Sequence, residues 1–119
     1  MNKEACMIRY GNEIICVDPS IPIFSTLGKK YTILIMGTLS GRSEKATFNQ
    51  IRKSIPDASA RVLSIRLKEM EQKGIVKREM YQNHVTYFLT DTGMKIKESL
   101  KPFFNVMAAF QNNKENGNH

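Results

Sequence analysis

The side chains best suited to a chemical task in this sequence are cations and small polar groups at helical spacing. Over residues 60–73, at about 100° per residue, Arg61, Ser64, Ile65, Lys68 and Gln72 fall on one side of a helix, opposite Leu63, Leu67 and Met70, with no acid among them. An arginine so placed pairs with guanine edges or phosphate, a serine permits close approach, and a lysine gives a point charge to a backbone phosphate. Ser59 and Ala60 open the same helix. Further along, Gln82, Asn83 and His84 make a polar tip between two β-prone runs, with Lys77 and Arg78 behind it, and offer donors to a minor groove or to adjacent phosphates. Strand side chains alternate, so at most one of Lys77 and Arg78 serves a given surface. The candidate binding set is Ser59, Ala60, Arg61, Ser64, Ile65, Lys68, Lys77, Gln82, Asn83 and His84, and the partner it implies is double-stranded DNA. The plain alternative for Arg61 and Lys68 is a solvated helix face.

Other chemistry has little to build on. His84 lacks a nucleophile or an orienting acid at motif spacing, so no catalytic site is expected and the chain does not read as an enzyme. Cys6, Cys16, His84 and His119 contain no CxxC or HxxxH spacing, which argues against a metal, and no cofactor is implied. Two cysteines do not make a disulfide framework. Cys16, beside two isoleucines, is expected to be a buried, unreactive small hydrophobe. Arg66 lies on the flank of the apolar stripe, where an ion pair with Glu69 or another acid and a phosphate contact are equally open.

Length and charge agree with the cationic reading. The 119 residues allow one domain with a single core. The net charge of +7 is concentrated in residues 42–81, where ten bases face five acids, whereas residues 1–18 are net −1. The longest apolar run, residues 106–110, is far below the ~20 residues a bilayer requires, and the N-terminus lacks the order of a signal peptide, so no membrane association and a cytoplasmic location are expected.

The elements that must position these residues follow from periodicity. Runs at 5–10 and 13–17 flank Gly11-Asn12, the pattern of a β-hairpin. Pro19 or Pro22 starts a short helix that ends at Leu27 before Gly28. The near-continuous apolar stretch of residues 31–39 predicts a core helix buried on more than one side. Ala46 or Thr47 opens a helix carrying Phe48, Ile51 and Ile55, and Pro56-Asp57 ends it. Ser59 caps the helix of residues 60–73, which Gly74 stops. Two strands, 75–81 and 84–89, form a second hairpin, and Thr90 or Asp91 caps a long last helix kinked at Pro102. Its apolar stripe is Ile96, Leu100, Phe103, Phe104, Met107 and Phe110, and the part from Leu100 onward reads as a dimer interface, joined by Ile21 and Phe24 of the first helix. A pocket for a small-molecule effector of unspecified chemistry is the other use of such a stripe.

The fold class is α+β and mainly helical, a winged helix-turn-helix with an extra N-terminal β-hairpin and a long C-terminal helix. Its divisions are residues 1–17 for the hairpin, 18–111 for the main domain, and 112–119 for a frayed polar tail. Within it, GKKYTILI at 28–35 resembles the "GGKWTLLIL" core-helix start of HxlR-type regulators. FNQI at 48–51 resembles "FNEL", SARVL at 59–63 "SxKVL", RLKEMEQKGIV at 66–76 "RLRELExxGLV", and YFLTDTG at 87–93 "YxLTxxG". The resemblance covers about residues 18–110, with MarR-like regulators as neighbours, and implies a homodimeric transcription factor whose first and last helices form the dimer contact. Three features depart from the pattern. Asp18 stands where a cysteine often precedes proline, the wing is about three residues shorter, and the hairpin of residues 5–17 is not expected. The alternative function on the same fold is a winged-helix protein-interaction module that does not bind DNA specifically.

Overall fold

The computed structural model describes residues 6–117, and the side chains of residues 7–112. The ends of the hairpin region before Cys6 and of the tail after Gly117 lie outside the described residues. Strands β1 (Cys6–Tyr10) and β2 (Glu13–Val17) pair antiparallel, with Ile8 opposite Ile15 and Tyr10 opposite Glu13. Gly11 takes φ +58 in the turn, a left-handed conformation that glycine adopts without a Cβ clash. Helix α1 (Pro22–Leu27) follows, with proline in its first turn.

Helix α2 (Thr32–Thr38) is the centre of the core, with Thr32, Ile35 and Met36 buried and Leu39 buried just beyond its end. The sequence predicted burial on more than one side, but Leu34 is 52 % exposed: the buried residues of α2 fall on one flank. Tyr31 precedes α2 at φ 76, left-handed backbone that costs a bulky residue of order 1–3 kcal/mol and must be held by its surroundings.

Helix α3 (Phe48–Ser54) opens with a complete capping box. The Gln50 N–H donates to Thr47 Oγ1, and the Thr47 N–H donates to Gln50 Oε1 at 2.8 Å. Helix α4 (Ala60–Gln72) starts at Ser59, whose hydroxyl accepts from the Val62 N–H at 3.1 Å. It ends in a Schellman arrangement: Gly74 at φ +75, with the Ile75 N–H on the Met70 carbonyl and the Gly74 N–H on the Glu71 carbonyl. The apolar stripe Leu63, Leu67 and Met70 joins Ile35, Met36, Leu39, Ile51, Ile75 and Leu89 in one core.

Strands β4 (Val76–Tyr81) and β5 (His84–Leu89) form the wing, paired from Val76 opposite Leu89 to Tyr81 opposite His84. Gln82 and Asn83, at φ 51 and 66, make the two-residue turn whose twist suits a hairpin. A third strand that the periodicity does not reveal, β3 (Ala46–Thr47), adds to β5 opposite Tyr87 and Thr86. Two residues are too few to show an alternation of polarity.

The long last helix, expected to kink at Pro102, is instead two helices, α5 (Asp91–Ser99) and α6 (Lys101–Gly117), broken at Leu100. Pro102 has no N–H to give to Glu98, and its ring crowds that carbonyl, so the chain turns just before it. The frayed tail expected from 112 onward is helical to Gly117, since no proline or glycine interrupts residues 103–116. Leu100 packs against the core, and Phe104 lies over α2, its ring 3.4 Å from where a Cβ on Gly37 would sit. Among the described residues, no helix is long and apolar enough to cross a membrane.

Candidate nucleic-acid interface

Helix α4 is seated by its buried stripe Leu63, Leu67 and Met70 and is tied at its surface to the loop that precedes α2. Lys29 Nζ bonds Glu69 Oε2 at 2.6 Å, Arg66 Nε donates to the Lys30 carbonyl at 2.9 Å, and the Tyr31 hydroxyl donates to the Asp57 carbonyl at 3.2 Å. Arg66 also reaches Glu69 Oε1 at 3.3 Å. The question left open for Arg66 is thereby answered: it is a tie between α4 and residues 29–31, and it is not directed at a ligand. Glu69 sits between two cations, and the hydrogen bond from Lys29, followed by the charges of Lys29 and Arg66, holds its carboxyl below the usual value of 4.5. Together with the Asp57 contact, these bonds link α4 and the turn before it to residues 29–31, while the buried Leu63, Leu67 and Met70 set the rotation of α4 about its axis.

That rotation turns Arg61, Ser64, Ile65 and Lys68 outward, all exposed, beside Ser59 and the half-buried Ala60. Neither Arg61 nor Lys68 takes part in an ion pair among the described residues, so both charges remain available. Ile65, 42 % exposed among polar neighbours, offers the apolar contact that a thymine methyl accepts.

The wing lies beside this face. A cleft of about 330 Å³ between α4 and the sheet is lined by Ser64, Lys68, Glu71, Arg78 and Tyr87. Arg78 is therefore the wing base that joins the α4 surface. Lys77, the residue chosen from the sequence, borders the opposite sheet face with Gly41, Arg42, Phe88 and Asp91. Strand alternation puts Lys77 and Arg78 on opposite faces, and the sheet's orientation, which the sequence does not reveal, turns Arg78 toward α4. Glu71, seven residues from Ser64 and therefore on the same side of the helix, puts an acid on the cleft wall that the sequence reading did not include.

The far face of the wing is braced by the loop before β3. Arg42 pairs with Glu79 at 3.0 Å, and Lys45 stands 4.7 Å from the Tyr81 ring centroid and 5.6 Å from that of Phe88. Gln82, Asn83 and His84 project at the tip, all exposed. Cys16, expected to be buried, is an exposed free thiol, because among the described residues no second layer covers that face of the two-stranded sheet. Among the described residues, no group of three or more His, Cys, Asp or Glu side chains could hold a metal.

The apolar set expected at a dimer contact divides in two. Ile21, Phe24, Phe103, Met107 and Phe110 are exposed, whereas Leu100 and Phe104 turn inward on the chain's own core and α2. Val106, 57 % exposed, belongs with the outward group and was not singled out.

Three helices with a tight turn before the exposed one, followed by a β-hairpin that flanks it, define a winged helix-turn-helix protein. The chain belongs to the HxlR-like helix-turn-helix family, whose model matches residues 26–116. It is similar to a solved structure described as a possible HxlR family transcriptional factor from Thermoplasma volcanium GSS1, at 41% identity and TM-score 0.81, over 91% of this chain and 98% of that one. Two Bacillus subtilis HTH-type transcriptional regulators are also similar. YybR is 31% identical over 81% of this chain and 68% of its own length, and YvaP is 40% identical over 56% of this chain. The match spans 63% of YvaP. The relatives are transcriptional regulators, not enzymes.

Proposed function

We propose that this protein is a sequence-specific double-stranded-DNA-binding transcriptional regulator that acts as a homodimer in the cytoplasm, with α4 in the major groove and the wing on adjacent backbone or minor groove. One observation carries the reading: Arg61, Ser64, Ile65 and Lys68 stand exposed on a helix held in rotation by its buried Leu63, Leu67 and Met70, with Arg78 sharing a cleft with Ser64 and Lys68. Arg61 and Ser64 reach bases near the start of the helix, Ile65 meets a thymine methyl, and Lys68 and Arg78 neutralise phosphates. Ser59 and Ala60 bring the N-terminus of α4 to the backbone, and Gln82, Asn83 and His84 touch the flanking groove.

The dimer is supported by the exposed apolar stripe Phe103, Val106, Met107 and Phe110 of α6, with Ile21 and Phe24 also exposed at α1. A two-fold axis through that face pairs the two α4 helices on half-sites about one helical turn apart. The test is binding to duplex DNA across a salt series, followed by selection from a random pool. The expected result is a log–log salt slope of about −0.9 per phosphate for roughly four to ten contacts, and an inverted repeat among the selected sequences. Arg61→Glu with Lys68→Glu should abolish binding while the fold persists. Wild-type affinity in that double variant would show that the exposed face of α4 is not the DNA surface.

A further inference from the structure

We infer that the wing seats itself in the minor groove by apolar contact, with Met80 against the deoxyribose walls and no ionic grip on the phosphates at its tip. The inference rests on the DNA reading above, narrows the wing's partner to one groove, and adds a residue that neither charge nor motif singles out.

The register of the wing sorts its side chains. Opposed residues of an antiparallel pair share a face, and faces alternate along each strand, so Arg78, Tyr87, Met80 and Val85 lie on one side, and Glu79, Thr86, Tyr81 and His84 on the other. Arg78 and Tyr87 line the cleft with Ser64 and Lys68, which identifies the first side as the one beside α4. Met80 continues that side about 7 Å further toward the tip, the rise of two strand residues. The other side is engaged within the chain, where Glu79 pairs with Arg42 and Lys45 stands over the Tyr81 ring. Met80 is 64 % exposed, more than any other apolar residue of the wing.

Charge decides what Met80 meets. Residues 79–85, which span the tip, contain one acid and no lysine or arginine, and that acid is held by Arg42. A tip of this composition does not neutralise phosphates; it adheres by burying apolar surface and by hydrogen bonds from neutral groups. The minor groove supplies both counterparts. Its walls are deoxyribose, and its floor at A·T pairs presents only the acceptors adenine N3 and thymine O2, partners for the exposed amides of Gln82 and Asn83. A G·C pair instead projects the guanine N2 amine into that space. Methionine is unbranched and polarisable, which suits it to an irregular sugar surface.

Wild type, Met80→Ala and Arg78→Ala are titrated across a salt series onto the duplex recovered by random-pool selection. Met80→Ala is expected to weaken binding about tenfold, roughly threefold from each wing of the dimer, at an unchanged log–log salt slope, whereas Arg78→Ala flattens the slope. Met80 lies outside the core cluster, so the variant keeps the fold, which its thermal melt checks. At the outer flanks of the half-sites, changing A·T to inosine·cytosine should hold affinity within about twofold, and changing it to G·C should lower it several-fold, because inosine·cytosine keeps the minor-groove surface of A·T. A wild type that binds no duplex would defeat the DNA reading and the wing's seat with it. With the wild type bound, the seat alone is overturned by Met80→Ala within about twofold of wild type, by a flattened slope in that variant, or by equal losses for inosine·cytosine and G·C.

Discussion

Replacing Arg78 by alanine should weaken duplex binding about thirtyfold, whereas the same change at the neighbouring Lys77 should leave affinity within about threefold of wild type. Arg78 shares a cleft with Ser64 and Lys68 on the α4 side of the sheet, and Lys77 borders Gly41, Arg42 and Asp91 on the other. A charge-assisted hydrogen bond contributes about 1.5–3 kcal/mol when shielded, and an exposed one less, so about 1 kcal/mol is a fair value for Arg78 on phosphate. A homodimer makes that contact twice, and ~2 kcal/mol corresponds to about thirtyfold. Losing two phosphate contacts should also flatten the log–log salt slope by about 1.8, whereas removing Lys77 subtracts only its long-range attraction. Fluorescence anisotropy on a labelled duplex across a salt series reads both quantities, with thermal melts as the folding control. An effect of Lys77→Ala equal to or larger than that of Arg78→Ala would refute the assignment of sheet faces. No change in slope for either would confine the interface to α4 and the wing tip.

Three further outcomes concern the frame that holds the interface. Gly93→Ala should cost about 2–4 kcal/mol in urea unfolding, because a Cβ there would overlap the Ile75 carbonyl oxygen and lie 3.2 Å from Leu89 Cβ, and both neighbours belong to the core. Wild-type stability in that variant would show that the α5 start is loosely packed. Ser59→Ala should cost about 1 kcal/mol through loss of the Val62 cap, visible as a lower denaturation midpoint at an unchanged slope. Glu69→Gln tests the tie to residues 29–31. Because the folded carboxyl titrates below its ordinary 4.5, its stabilisation is complete above that value and lost as pH falls through the lower folded value. The stability gap between wild type and variant should thus be constant near neutrality and close in acid, and a gap independent of pH down to acid conditions would contradict the ion-paired geometry.

The interface and its frame were legible in different degrees. The Ser59 cap, the Leu63, Leu67, Met70 stripe and the Gly74 stop were readable because each depends on residues within one or two turns. Strand β3 was not, since its two residues are recruited by pairing with Tyr87 and Thr86, far along the chain. The role of GKKY at 28–31 was readable only as a motif. Its physical content, the bonds from Lys29, Lys30 and Tyr31 to Glu69, Arg66 and Asp57, joins segments 26 to 40 positions apart.

The sequence alone determined the order of elements, the cationic side of α4, the wing turn and the apolar stripe of the last helices, because helical and strand periods and turn chemistry are local properties of the backbone. Tertiary structure decided everything that depends on which way an element faces. It set Arg78 rather than Lys77 beside α4, turned Leu100 and Phe104 inward, exposed Cys16 and Leu34, and made Arg66 a brace. Periodicity sorts side chains into opposite faces but cannot say which face meets the core. That choice is made by the packing of distant segments, whose burial energy is shared among contacts that no single stretch of sequence contains.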